Sequence, residues 1–217
     1  NPNPARIINV SLGGDGTCPA YTQNAIDAAV EHGSIIVAAA GNSDQDVSGV
    51  TPAGCKNVIT VGSTSSSGSR ASGVSVSAPG GDVASGGVLS AVDTSTTTPE
   101  GSGYALMVGT SQASPHVAGT VALLLAIDPS LTGDKATTLL QDTAAPVSDC
   151  DRDGCGSGIV DAAAATQRAK QDKDDAGGDA GAEPAPEPEP SPEPSDPIGR
   201  LLDSLRGVRS PTTETTE

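Results

Sequence analysis

Between Ser111 and Ile127 the chain carries no Asp, Glu, Lys or Arg, and its apolar residues fall on every side of a helical wheel. Such a segment predicts a helix buried all round. Other elements must then be wrapped around it. Ser111 stands at its amino end, where unpaired amide groups and the positive end of the helix dipole converge. An oxyanion forming beside Ser111 would meet preorganised donors there rather than water that must reorient. Pro115 has no N–H to return to the Ser111 carbonyl, and a proline this early in a helix costs less than one in the middle. Gly109 lacks a side chain, which leaves room for another backbone to pass close to the hydroxyl. A capped core helix also begins well with Gly-Thr-Ser, so the triplet alone fits either role.

The longer run Gly109-Thr110-Ser111-Gln112-Ala113-Ser114-Pro115-His116-Val117-Ala118-Gly119 resembles the serine motif of the subtilisin-like proteases. Ile8-Asn9-Val10-Ser11-Leu12-Gly13-Gly14 resembles that family's substrate-lining strand, and Val37-Ala38-Ala39-Ala40-Gly41-Asn42 the strand that ends in its oxyanion asparagine. Gly158-Ile159-Val160-Asp161-Ala162-Ala163 is similar to the segment that closes its catalytic domain. The resemblance runs from Arg6 to Arg168, without the family's aspartate and histidine motifs. It implies an α/β fold, a subtilisin-like parallel sheet flanked by helices and incomplete at the N-terminus. The implied activity is that of a serine endopeptidase acting on protein or peptide substrates through an Asp-His-Ser triad. Ser111 would be the nucleophile and Asn42 the oxyanion donor, with the Asp and His in a missing N-terminal part of the same domain. Backbone groups of Ser11, Leu12 and Gly13 would pair with an extended substrate. Together with Ala39, Ala40 and Gly41 they would wall the pocket for the residue before the cut bond. Those walls carry no charge, which points to an apolar or broad preference. The alternative is a non-catalytic exported protein, either a decayed protease or a binding module. Two departures from the family's pattern stand out: Arg70-Ala71-Ser72 runs straight into Gly73, and Val108 replaces a small polar residue.

The remaining elements follow from local pattern. Arg6–Leu12 predicts a short buried strand ending in the Gly13-Gly14 turn. Pro19–His32 predicts a helix with Ala25, Ile26, Ala29 and Val30 on one stripe and Gly33 as its stop. Ser34–Ala40 is a continuous apolar run bounded by glycine, the pattern of a central parallel strand. Asn42 follows where such a strand leaves the sheet, and open parallel sheets bind ligands at that end. Further strands are expected at 57–62, 74–78 and 87–92, a threonine-rich loop at 95–99 and a surface helix at 131–140, while Tyr104–Val108 leads into the Ser111 segment. His116 lies five positions after Ser111, roughly 140° around the helix at about 100° per residue. It therefore cannot serve as the base for that hydroxyl, and it reads as a buried structural histidine. His32 reads as a surface cap at a helix end, where a cation complements the dipole.

Composition divides the chain. Residues 1–169 hold the peptidase-like portion; residues 170–197 are rich in Asp, Glu, Pro, Ala and Gly, and read as a disordered acidic spacer. In residues 198–217, Ser195-Asp196-Pro197 prefaces an amphipathic stripe of Ile198, Leu201, Leu202, Leu205 and Val208 followed by a polar tail. The formal net charge of −16 repels phosphate backbones and argues against a nucleic-acid partner. No run reaches the length of a membrane span. Four cysteines fit an oxidised, secreted protein. Three pairings are possible: closeness in sequence favours Cys150–Cys155, which leaves Cys18–Cys55, with free thiols or a metal site as the competing readings. Asp149-x-Asp151-x-Asp153-Gly154 imitates the opening of a calcium loop, but Val160 stands where the twelfth ligand should be. The expectation is therefore no cofactor, with calcium as the one candidate. The chain opens at Asn1, a few residues before the resemblance begins and already within what the family's domain would span, and is expected to be a fragment or processed product.

Overall fold

The computed structural model describes residues 3–64, 72–84, 86–95, 97–147 and 152–177. A compact unit comprises Asn1–Asp179. At its centre is β3 (Ile35–Ala39), buried at every position, as a strand covered on both faces must be. It lies between β1 (Ile7–Val10) and β5 (Val58–Ser63), and β6 (Val76–Ala78) follows, giving the all-parallel order β1-β3-β5-β6. Pairing is set by Ile7 opposite Ile35, Ile36 opposite Val58 and Val61 opposite Val76.

Side chains of β3 alternate between the two faces. Ile36 packs with Ile26 and Cys55 beneath α1 (Ala20–Glu31). Ile35 and Val37 join Val117, Val121 and Leu124 of α2 (Thr110–Ile127) on the other face. On the same face α5 (Ala162–Gly177) packs against α2, and α3 (Gly133–Asp142) packs against α5 and β5, adding Ala136, Leu139, Leu140, Ala165 and Ala169 to the same core. With no Phe or Trp in the chain, alanines bring the helices together closely enough to leave little void. The expected α/β architecture, a parallel sheet flanked by helices, is what the chain forms.

The structure corrects several local expectations. Only one side of α2 is buried; Pro115, His116, Gly119, Ala122, Leu123 and Ala126 are exposed. His116 is thus a surface residue whose Nδ1 lies 2.8 Å from the Gln112 carbonyl, because no described element covers that face. The strand expected to be buried, β1, is only half-buried, since it forms an edge of this sheet. Two strand segments form a separate antiparallel hairpin, β7 (Val88–Asp93) with β8 (Ser102–Met107), exposing Leu89, Tyr104 and Leu106. A two-stranded bridge between β2 (Gly14–Asp15) and β4 (Val50–Thr51) has no counterpart in the sequence pattern.

Helix α5 runs to Gly177, so helical structure continues past Ala169 into the stretch read as spacer. The remaining spacer and the amphipathic stripe at 198–208 lie outside the described residues. Cys18 and Cys55 form a disulfide. Cys155, in the short α4 (Arg152–Cys155), is also disulfide-bonded, while its expected partner Cys150 lies outside the described residues. So do Asp149 and Asp151 of the calcium-like loop. Among the described residues no cluster of His, Cys, Asp and Glu is arranged to hold a metal, and no helix is long and apolar enough to cross a membrane.

Candidate active site

The sheet delivers β1 and β3 side by side, so the segments after them emerge at one edge and face the start of α2. A cleft of about 380 Å³ opens there, lined by Leu12, Gly13, Ala39, Gly41, Asn42 and Ser111 among others. Ala40 is not part of it. Along a strand successive side chains alternate in direction, and Ala40 turns away to pack with Val47 and Val74.

Ser111 is the second residue of α2, half-buried. Its Oγ donates to the Ser11 carbonyl at 3.0 Å, and the Ser11 hydroxyl returns a 2.7 Å bond to the Ser111 carbonyl. That carbonyl is available because residue 115 is proline and offers no helical N–H. Asn9 completes the link: its Nδ2 donates to Ser11 Oγ at 3.0 Å and its Oδ1 accepts from Ser114 at 2.7 Å. Asn9 of β1 and Ser11 just after it thus fix the sheet edge to the first turn of α2. Nothing in local sequence pattern singles out Asn9, because its partner Ser114 is distant along the chain.

Asn42 is oriented by Thr110. The Thr110 amide donates to Asn42 Oδ1 at 3.0 Å, and the Thr110 hydroxyl lies 3.1 Å from the same oxygen and 3.0 Å from the Gly41 carbonyl. An amide N–H can only donate, so the carboxamide oxygen must face Thr110 and Nδ2 must turn elsewhere. The donor end of Asn42 is thereby set without any ligand. Gly109 makes this possible. Its φ of 132° lies in the region that favours glycine, and a Cβ there would stand 3.1 Å from both Asn42 Nδ2 and Oδ1. The expected close approach at Gly109 is thus made by the Asn42 side chain as well as by backbone, for Gly109 N–H also donates to the Gly80 carbonyl at 2.8 Å.

The cleft also holds residues that the sequence reading did not place there. Asp15, Ser43, Gln45 and Val50 line it, Asp15 and Val50 paired across the β2–β4 bridge and Ser43 and Gln45 in the segment after β3. Gln45 Nε2 donates to Asp15 Oδ1 at 2.8 Å. Just behind, Asp46 caps the 3₁₀ turn Val47–Gly49 that leads into β4, accepting from the Ser48 amide at 2.8 Å and from the Ser72 hydroxyl. Hydrogen bonding from Ser48 and then Ser72 favours the ionised form and holds the Asp46 carboxyl at about 2. Neither of the two histidines is hydrogen-bonded to the Ser111 hydroxyl: His32 sits against Ala28 and His116 against Gln112.

Known proteins give this arrangement its context. The chain is 48% identical over 176 residues to the extracellular protease of Xanthomonas campestris pv. campestris, covering 78% of this chain and 30% of that protein. It is 40% identical over 168 residues to subtilisin DY of Bacillus licheniformis, covering 76% of this chain and 58% of that one. A protease structure from Pseudoalteromonas arctica superposes with a TM-score of 0.73 at 39% identity, over 78% of this chain and 52% of the other. The chain therefore spans from under a third to somewhat over half of the length of these relatives. Residues 1–180 match the subtilase family, and with the parallel sheet and its relatives in agreement, this chain belongs to that family.

Proposed function

We propose that the complete protein is a secreted serine endopeptidase in which Ser111 attacks the scissile carbonyl while Asn42 Nδ2 and the Ser111 amide bind the oxyanion. The observation that carries this reading is the shared cleft of Ser111 and Asn42, with the asparagine already turned by Thr110. Helix α2 contributes its positive end to the same place, so charge developing on the carbonyl oxygen meets fixed dipoles. Deprotonation of the Ser111 hydroxyl needs a base, and in this reading the Asp and His are supplied by polypeptide outside these residues. The open face of α2 at Leu123 and Ala126 suits the docking of that remaining part of the domain. Alone, this chain should hydrolyse peptides poorly or not at all, because an unassisted serine hydroxyl is a weak nucleophile. No cofactor enters the reaction as drawn. Secretion accords with the disulfides and with relatives named as extracellular proteases.

The test is covalent labelling of the full-length protein by a serine-directed phosphonate. Peptide mapping should place the adduct on Ser111, and Ser111→Ala should abolish both labelling and hydrolysis. Absence of any adduct on a folded full-length protein would instead favour a non-catalytic exported protein.

A further inference from the structure

Among the described residues lining the cleft, Asp15 alone carries a charged side chain. We infer that Asp15 makes the cleft selective for a lysine or arginine side chain beside the scissile bond. This rests on the endopeptidase reading and names its substrate class. It also replaces the apolar or broad preference expected from uncharged walls at 11–13 and 39–41.

Three observations converge. Asp15 stands directly opposite Val50 in the antiparallel β2–β4 pair, and residues so paired project from the same side of the ladder. Val50 is wedged between the two glycine walls: a Cβ on Gly13 would lie 3.4 Å from its Cγ1, and one on Gly41 3.5 Å from the same atom. Val50 is therefore the apolar base of the cleft, and Asp15 is the charged group at its rim. Finally, Gln45 Nε2 donates to Asp15 Oδ1 at 2.8 Å, which orients the group, and a carboxylate has two oxygens that can take several donors. A lysine or arginine combines an apolar stem with a charged head. Its stem would cover Val50 and its head would reach Asp15, giving a charge-assisted hydrogen bond that a neutral side chain cannot make.

The experiment is a peptide series cleaved by the full-length protein, differing only at the residue before the cut: lysine, arginine, norleucine, glutamine, alanine and glutamate. Lysine or arginine should exceed norleucine in kcat/KM by roughly ten- to a hundredfold, the range of a hydrogen bond to a charged group. Asp15→Asn should collapse that ratio towards one, and Asp15→Lys should turn the preference towards glutamate. Since Asp15 is exposed, both variants should fold, which phosphonate labelling of Ser111 verifies. A wild-type protein that labels at Ser111 but prefers alanine, or norleucine, over lysine would overturn the assignment. So would a lysine preference untouched by either substitution. Failure of the wild type to label at all would sink the endopeptidase reading, a different result from loss of selectivity alone.

Discussion

At the scale of single residues, the site depends on groups that hold other groups still. Thr110 claims the Asn42 oxygen and turns its Nδ2 end outward; under the proposed oxyanion role, Asn42→Ala should lower kcat of the full-length protein by about 10²- to 10³-fold, the loss known for an oxyanion donor of subtilisin itself. KM should change far less, since the bond tightens as charge develops. Gly109→Ala tests the same arrangement from behind. The new Cβ meets the carboxamide at 3.1 Å on a backbone with φ of 132°, so stability should fall by roughly 1–3 kcal/mol, read as a lower thermal midpoint, with slower labelling of Ser111. Asp46 gives a pH prediction. Its carboxyl is lowered from the ordinary 3.8 to about 2 in the folded protein, so its contribution to stability is complete above about pH 4 and is lost as pH falls towards 2. Carboxyl titration followed by NMR should show this, and Ser72→Ala should move the Asp46 value upwards; an unmoved value would refute the bond's role.

At the scale of elements, what matters is how the cleft's walls are pinned. Cys18 precedes α1 and Cys55 precedes β5, and their disulfide spans 37 residues of chain that include β3 and both cleft-forming segments after it. Closing a loop of that size removes unfolded-state freedom worth about 4 kcal/mol. The Cys18→Ser, Cys55→Ser double variant should therefore unfold at a distinctly lower urea concentration; an unchanged midpoint would show that the bridge is dispensable. The other pin is polar. Asn9 and Ser11 reach from β1 to Ser111 and Ser114 at the start of α2, and the missing amide at Pro115 is what leaves the Ser111 carbonyl for Ser11 to use. A helix-start motif read as local chemistry thus turns out to be one half of a contact between distant elements.

At the scale of the whole molecule, the proposed reading has the rest of a subtilase domain pack against the open face of α2 and the half-buried edge of β1. Leu123, 52% exposed here, belongs to that face. Leu123→Glu should barely alter the unfolding of this chain by itself but should weaken its complementation by the remaining part of the domain, measured as recovered peptidase activity on co-expression; full recovery would place the docking elsewhere. By itself the sequence determined the helix that opens at Ser111, the apolar run of β3, the asparagine at that strand's exit and the α/β class, because each is written in adjacent residues or in short periodicities. Only the tertiary structure decided that Asp15 enters the cleft opposite Val50, that Asn9 clasps Ser114, that Ala40 turns away from the pocket, and that His116 lies on the surface. The physical reason is common to all four: periodicity reports how a segment would like to be buried, whereas pairing across tens of residues and the presence or absence of a covering element decide which face meets which neighbour.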